Sequence, residues 1–167
     1  IKHAESLERR KHKGRIVFRG DSVKDQYNAA AAFQDLSASP TTIHTASSTI
    51  AYGCIPGHKL STADAIRAYV QSKLKSLHET WVAVPKELWP DQWFKEGRRK
   101  PMCRLNKALY GHPESGAHWE RHLESAIKSC GGEPIEGHPS SYWFPESKLL
   151  LTVYVDDLLL AGPTKAH

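Results

Sequence analysis

Two adjacent acids interrupt the most apolar segment of the chain, residues 149–161, which reads LLLTVYVDDLLLA. Burying an ionised carboxylate costs several kcal/mol, and two neighbouring carboxylates also repel each other, so one continuous buried strand is disfavoured. A hairpin that reverses at Asp156 and Asp157 lets both flanking runs be core strands and places the acids at the tip. A divalent cation can neutralise them there. An ordinary Asp-Asp turn that joins two strands is the alternative.

The composition fits one globular domain with a basic surface. The chain has 167 residues, of which 40% are hydrophobic and 25% are charged, which is enough for one ordinary core and excludes a disordered chain. Lys and Arg total 23 against 18 for Asp and Glu, which gives a net charge of +5 and favours polyanionic partners.

The three cysteines lie far apart and form no C-x-x-C pair, which excludes a zinc ribbon and a disulfide framework. No secretory signal opens the chain, and its longest apolar run is too short to span a bilayer. We therefore expect an intracellular protein, in a cytoplasmic particle or the nucleus, that is not secreted and has no membrane partner.

Local patterns predict a mixture of strands and helices. The helix over 115–130 has apolar residues at three- and four-residue spacing, with Ser115 as its N-cap. His118 and His122 lie four apart on this helix and could share a metal, but no third ligand is evident and a solvated flank explains them. The other predicted elements, in chain order, are a strand over 15–19, helices over 24–36 and 41–52, a strand over 59–64, a helix over 65–77, an irregular connection over 85–101, and strands over 141–144 and within 149–161.

Four segments occur in the order of a known family. Tyr154-Val155-Asp156-Asp157, between apolar strands, resembles the catalytic hairpin of reverse transcriptases of the copia-type LTR retrotransposon class. The other matching segments are KGRIV at 13–17 (family K-A-R-L-V), DAIRAYVQ at 64–71 (family D-V-K-T-A-F-L-x), and CRLNKALYG at 103–111 followed by Ser115 and Trp119 (family C-K-L-x-K-x-L-Y-G-L-K-Q-(S/A)-P-R-A-W). Their order and spacing make the resemblance specific.

The resemblance implies RNA-directed DNA polymerisation with dNTPs on a primed RNA or DNA template, and two Mg²⁺ (or Mn²⁺) ions as cofactors. Two such ions, about 3.5–4 Å apart, stabilise the entering and leaving oxygens of an in-line displacement. By resemblance, Asp64 and Asp156 would bridge the ions, Asp157 would add charge nearby, and the backbone carbonyl of Ala65 would be a further ligand. Taken alone, Asp64 is an ordinary acid at a strand end.

The resemblance also implies a nucleotide site. Tyr69 would pack under the incoming sugar and clash with a 2′-hydroxyl, although a core aromatic is the commoner use of such a residue. Lys13 and Arg15 would clamp the triphosphate, although solvated basic residues look the same in sequence. The remaining nucleotide-binding candidates are Gly111, Glu114 and Ser115. Weaker contacts with nucleic acid are expected from Arg98, Arg99, Lys100 and Tyr154, where a basic surface loop is the alternative.

Three residues depart from the family pattern: its glutamine, proline and arginine are replaced by Glu114, Gly116 and Ala117. An acid that faces a triphosphate would repel it by on the order of 1 kcal/mol. Two alternatives to the enzyme therefore remain open. One is a degenerate retroelement remnant that keeps the fold without the chemistry, and the other is a basic nucleic-acid-binding module without catalysis, which would bind primed template equally well in EDTA.

The implied fold is an α+β polymerase palm with partial fingers, truncated at the C-terminus. Its antiparallel sheet would carry the acids, with helices on one face and the other face left for nucleic acid. We expect a fingers-like segment at 1–58, the palm with the first catalytic Asp at 59–84, an irregular connection at 85–114, and the palm helix and catalytic hairpin at 115–167. The rest of the palm, the thumb and the RNase H region of a parent polyprotein would be partners, and the isolated piece would be inactive.

Overall fold

The computed structural model describes residues 14–33 and 38–166. Within this part, helices mix with antiparallel strands, which confirms the predicted α+β class. The strands are β1 (His58–Asp64), β2 (Trp81–Ala83), β3 (Met102–Arg104), β4 (Glu133–Pro134), β5 (Ser141–Phe144), β6 (Leu149–Tyr154) and β7 (Asp157–Pro163), and the helices are α1 (Ile43–Gly53), α2 (Ala68–Gln71), α3 (Asp91–Lys95) and α4 (Ser115–Ser129). None of these helices is long and apolar enough to cross a bilayer.

The larger of two sheets is antiparallel and has five strands in the order β1-β7-β6-β5-β4. Helix α4 packs on one face of it, because its apolar stripe meets side chains that alternate along the strands and so share that face. The core residues are Ile127, Tyr142, Leu151 and Val153, with Leu123, Phe144, Leu158 and Leu160 packed around them. Each fully buried side chain of this size stabilises the fold by roughly 1.5–3 kcal/mol.

Helix α1 covers the opposite face of the sheet. Its Tyr52 ring lies 6.0 Å from the ring of Trp143. A Cβ atom on Gly53 would lie 2.8 Å from Leu60 Cδ1 and 3.5 Å from the Ala161 Cβ, so α1 lies directly against β1 and β7 at this point. Trp143 and Ala161 alternate with the residues that face α4, so the two helices enclose the sheet. The expectation of helices on one face only was wrong.

The predicted helix over 24–36 is wrong for the described residues 24–33, and 34–36 lie outside the described part. The Asp25 carboxylate accepts hydrogen bonds from the backbone N–H groups of Tyr27 and Ala29, both at 2.9 Å. Such a local side-chain turn competes with the backbone bonds of a helix. The chain therefore turns here, although alanine favours helix by propensity.

The predicted helix over 65–77 is also shorter than expected. Arg67 has a left-handed φ of 56°, and α2 begins only at Ala68. Ser72 is extended, and its hydroxyl donates to the Tyr69 carbonyl at 2.8 Å, which ends the helix after one turn. Local hydrogen bonding by the serine hydroxyl thus replaces the helical pattern.

The other predicted elements are confirmed or refined, except for one strand. Helices α1 and α4 and strands β1, β5, β6 and β7 lie where the patterns placed them. The predicted strand over 15–19 is wrong, because these residues form no strand and the Phe18 N–H donates instead to the Tyr110 carbonyl at 2.7 Å. The connection over 85–101 contains a 3-10 turn and the short helix α3, and it joins the two strands of the smaller sheet, β2 and β3.

The buried phenol of Tyr142 gives the fold an alkaline limit. Burial, with the nearby Glu124 and Glu120 carboxylates, raises the pKa of Tyr142 to about 12. Because the unfolded pKa is about 10, the folded chain holds this proton more tightly, and the resulting stability is complete below pH 10 and lost as the pH rises through 12. The Tyr142→Phe variant has no phenol to titrate, so its free energy of unfolding should not fall for this reason. Thermal denaturation of both proteins from pH 8 to 12 measures the difference. A difference between the two proteins that stays constant across this range would contradict the assignment.

Candidate active site

The hairpin formed by β6 and β7 carries two of the predicted catalytic acids. Tyr154 lies opposite Asp157 in the register, so the two-residue turn consists of Val155 and Asp156. The reversal lies one residue earlier than predicted, and Asp157 is the first residue of β7 rather than part of the turn.

The third predicted acid reaches the same end of the sheet through β1. Asp64, the last residue of β1, lies directly opposite Asp157 in the antiparallel register. The next residue, Ala65, donates its N–H to the Asp156 carbonyl at 2.8 Å. Facing residues of an antiparallel pair have Cα atoms about 4.5–5.5 Å apart, so their side chains are neighbours. Acids that are far apart in the sequence therefore meet at the hairpin tip.

These carboxylates suit a hard divalent cation. Asp64 and Asp157 are exposed and Asp156 is half-buried. The described residues contain no group of three His, Cys, Asp or Glu side chains already arranged around one ion. Mg²⁺ is nevertheless often held by one or two carboxylates, with waters and substrate phosphates completing its shell. The facing pair Asp64 and Asp157 fits that requirement, with Asp156 adjacent on the turn.

A tryptophan of α4 is hydrogen-bonded to the turn. Val155 has a φ of 59°, a left-handed conformation that is strained for a β-branched residue and costs on the order of 1–3 kcal/mol. The indole N–H of the buried Trp119 donates to the Val155 carbonyl at 2.6 Å. Since the sheet core fixes α4, this bond ties the strained turn to the most rigid part of the fold.

A row of aromatic and basic side chains leads away from Asp156. The ring of Tyr69 lies edge-on to Tyr110 at 4.7 Å, and the Arg15 guanidinium lies 5.4 Å from the centre of the Tyr110 ring. Burial raises the pKa of Tyr69, and the Asp156 carboxylate and Tyr110 add to the rise, so its hydroxyl stays neutral. Tyr110 was not among the predicted site residues, although it lies inside the quoted motif.

Gly111 allows the segment that contains Arg15 and Phe18 to pack closely against it. Its φ is 87°, and a Cβ atom at this position would lie 2.1 Å from the Phe18 carbonyl oxygen. Any other residue would push the two segments apart, and would disturb the row that includes Arg15. Lys13, the other basic candidate, lies outside the described residues.

Ser115 and Glu114 are buried at the start of α4. Ser115 is the first helical residue rather than the N-cap, a place that Glu114 takes. The Ser115 hydroxyl accepts the Leu109 N–H at 3.0 Å and donates to the Leu109 carbonyl at 2.8 Å, which closes the turn between them. Glu114 is 5% exposed, and its Oε2 has no hydrogen-bond partner within the described chain. A contact of either residue with a nucleotide stays a prediction.

His112 joins three parts of the site, and no spacing in the sequence indicated this role. Its Nδ1 accepts the Glu114 N–H at 3.2 Å, so its Nε2–H donates to the Thr80 hydroxyl at 3.1 Å. Its ring also packs against Phe18 and Phe33, with centroids 5.0 and 5.2 Å apart. Burial lowers the pKa of His112, against an opposing effect of Glu114. His112 is therefore a neutral positioning residue.

The weaker nucleic-acid candidates lie in two places. Arg98 pairs with Glu96 at 2.6 Å and lies 5.5 Å from the Trp93 ring, beyond α3. Arg99 and Lys100, which follow it, are exposed. Tyr154 is 58% exposed beside the turn. Of these four weaker candidates, only Tyr154 is therefore adjacent to the acids in the described chain.

Comparison with known proteins gives the class of protein to which this fold and site belong. The family model described as reverse transcriptase (RNA-dependent DNA polymerase) matches residues 1–166. The chain belongs to the reverse transcriptase family, and its resemblance to the copia-type class is confirmed.

Two of the similar proteins are transposon Gag-Pol polyproteins from Saccharomyces cerevisiae. The truncated transposon Ty1-A Gag-Pol polyprotein is 29% identical over 153 residues, which cover 89% of the chain and 11% of that protein. The transposon Ty1-DR5 Gag-Pol polyprotein is 30% identical over 152 residues, which cover 89% of the chain and 8% of that protein. The chain thus spans about a tenth of the length of these relatives. No solved structure matches it.

The facing acids should destabilise the fold when no metal is present. Like charges opposite each other on neighbouring strands repel, so Asp64→Asn should raise the free energy of unfolding in EDTA by about 0.5 kcal/mol. Saturating Mg²⁺ should stabilise the wild type more than the variant, because a bound ion favours the folded state. Urea denaturation with and without Mg²⁺ measures both effects. Asp91→Asn, an exposed acid of α3, is the control and should keep the wild-type response to Mg²⁺. A variant as responsive as the wild type would show that Asp64 holds no ion.

Proposed function

We propose that this chain is the palm, with part of the fingers, of an RNA-directed DNA polymerase that adds deoxynucleotides to a primer 3′-hydroxyl. One observation carries the proposal: the register of β1 and β7 sets Asp64 opposite Asp157, while Ala65 bonds to the backbone of Asp156. Membership of the reverse transcriptase family supports it. The relatives are Gag-Pol polyproteins, so the chain would act within such a polyprotein, together with the remaining palm, a thumb and an RNase H region.

The three aspartates would hold two divalent ions, Mg²⁺ or Mn²⁺, and the ions would stabilise the entering and leaving oxygens of the displacement. Asp64 and Asp156 would hold the ions, and Asp157 would add negative charge beside them. The Ala65 carbonyl accepts one hydrogen bond, from the Ala68 N–H at 3.1 Å, and a carbonyl oxygen has a second lone pair for a metal. The pairing of β1 with β7, which sets Asp64 opposite Asp157, supports this assignment.

Tyr69 and Arg15 would bind the incoming nucleotide. The row from Asp156 through Tyr69 and Tyr110 to Arg15 joins the acids to a planar cation, which suits a triphosphate with its α-phosphate at the metal site. Tyr69, held edge-on against Tyr110, would place its ring under the sugar, where a 2′-hydroxyl would clash. Gly111 would keep Arg15 within reach by allowing the close approach at Phe18.

Asp156→Asn tests the chemistry most simply. In primer extension by the polymerase that contains this chain, we expect a loss of kcat of at least about a hundredfold, because one charged ligand of the ions is removed. Binding of primed template in EDTA should not change. Asp91→Asn should extend primers like the wild type.

Two other outcomes would contradict the proposal. A wild-type protein that binds primed template but never extends it would favour the degenerate remnant or the binding module. An Asp156→Asn variant with full activity would place the chemistry elsewhere.

Tyr69→Ala should relax the choice of sugar. Removal of the ring opens space for a 2′-hydroxyl, so the ratio of kcat/KM for a dNTP over the matching rNTP should fall about tenfold or more. Single-nucleotide extension with each substrate measures this ratio. Tyr27→Ala, which truncates an aromatic residue that is 81% exposed, is the control. If Tyr69→Ala and Tyr27→Ala discriminate equally well, Tyr69 is a packing residue only.

A further inference from the structure

A basic groove lies between α2 and α4, apart from the row of site residues described above. It has a volume of about 660 Å³ and is lined by the cationic and imidazole side chains of Lys73, Lys75, Lys107, His118, Arg121 and His122. Among its lining residues in the described chain none is acidic. A cleft lined by one sign of charge concentrates ligands of the opposite sign.

The backbone places two of the lysines opposite each other. Lys73 and Lys107 form an isolated antiparallel bridge, so their side chains start from directly opposed positions. Like charges placed opposite each other cost stability. The Lys107 ammonium donates to the Gln71 carbonyl at 2.9 Å, which fixes its position and leaves two of its three N–H donors. The groove thus has two lysines at opposed backbone positions, one of them held by a hydrogen bond, and an anion between their charges would stabilise them.

Helix α4 forms the other wall. His118, Arg121 and Ser125 recur at three- and four-residue spacing and so lie along one side of the helix. Arg121 donates to Nδ1 of His118 at 3.0 Å. From the first to the last of these residues the wall is about 10 Å long. The wall is thus long enough to contact more than one phosphate of a nucleic-acid strand.

We propose that this groove binds the phosphodiester backbone of a nucleic-acid duplex. No Phe, Tyr or Trp ring lines the groove in the described chain, so single-stranded bases would lack the broad stacking surface that single-strand binding proteins offer. Lysine, arginine and serine side chains are the groups that contact phosphates without reading sequence. The proposal rests on the proposed function for the identity of the duplex, which would be the primer–template. It assigns to Lys73, Lys75 and Lys107 a part in holding that duplex, separate from catalysis.

Binding of a fluorescently labelled RNA–DNA primer–template, followed by anisotropy in EDTA over a range of KCl concentrations, tests the groove. The variant is Lys73→Gln with Lys75→Gln, which removes two charges and keeps both side chains polar and unbranched at Cβ. Because each lost phosphate contact lowers the slope of log affinity against log salt by about 0.9, we expect the slope to fall by nearly 2. Affinity should fall at every salt concentration.

The matched control is Lys148→Gln with Lys165→Gln. These lysines flank the ends of β6 and β7 opposite the turn, and both are exposed. The control makes the same change in net charge and should keep the wild-type slope. Equal slopes in the groove variant and the control would overturn the proposal, because the net charge would then explain the binding. Thermal denaturation of both variants checks that they fold.

Asp156→Asn separates this proposal from the proposed function. If the groove binds the duplex, that variant binds in EDTA like the wild type, whether or not it extends primers. A groove variant with unchanged affinity and slope would remove the groove proposal and leave the catalytic proposal standing. Loss of binding in the groove variant, with no extension by the wild type, would keep the groove and remove the polymerase.

Discussion

The pairing of β1 with β7 is the constraint on which the rest of the site depends. It joins residues far apart in the sequence and places Asp64 opposite Asp157 at one end of a shared ladder. A slip of one residue would turn every side chain of β1 to the other face and separate the acids. The packing of α1 on β1 at Leu60, beside Gly53, opposes such a slip, because the slip would turn Leu60 away from α1. The chemistry of the tip is thus set by packing some distance away from it.

Helix α4 links the core of the sheet to the turn. Leu123 and Ile127 anchor the helix on the sheet, and Trp119, one to two turns earlier, holds the strained Val155 by its carbonyl. The start of the same helix is tied to the preceding turn through Ser115. A conformation that costs energy in isolation therefore persists because the structure around it is rigid. The arrangement leaves Asp64 and Asp157 exposed and Asp156 half-buried at the tip, on a backbone held by these contacts.

Much of this could be predicted from local patterns. The cost of burying two adjacent acids predicts the hairpin at Asp156, and the spacing of apolar residues predicts α4. The role of Asp64 could not be obtained that way, since nothing near it shows that β1 pairs with β7. Only the resemblance to a known family selected it.

The failures have physical causes of two kinds. The carboxylate of Asp25 accepts backbone hydrogen bonds and so forms a turn where the alanine-rich sequence predicts a helix. Helix propensities are averages over residue types and do not include such a local bond. The burial of Glu114 and the contacts of His112 with Thr80 depend on segments that meet only in the folded chain. The basic groove is of the second kind, because the bridge between Lys73 and Lys107 joins two connections that carry no strand pattern.

The central claim is that the acids joined by the β1 and β7 register share a divalent ion. Crystals of the chain grown with Mn²⁺ and a primed template would test it by anomalous scattering at the manganese edge. The account predicts a manganese peak within about 2.5 Å of carboxylate oxygens from both Asp64 and the Asp156–Asp157 pair. A map in which Asp64 lies away from the hairpin acids, or in which manganese binds to neither, would contradict it.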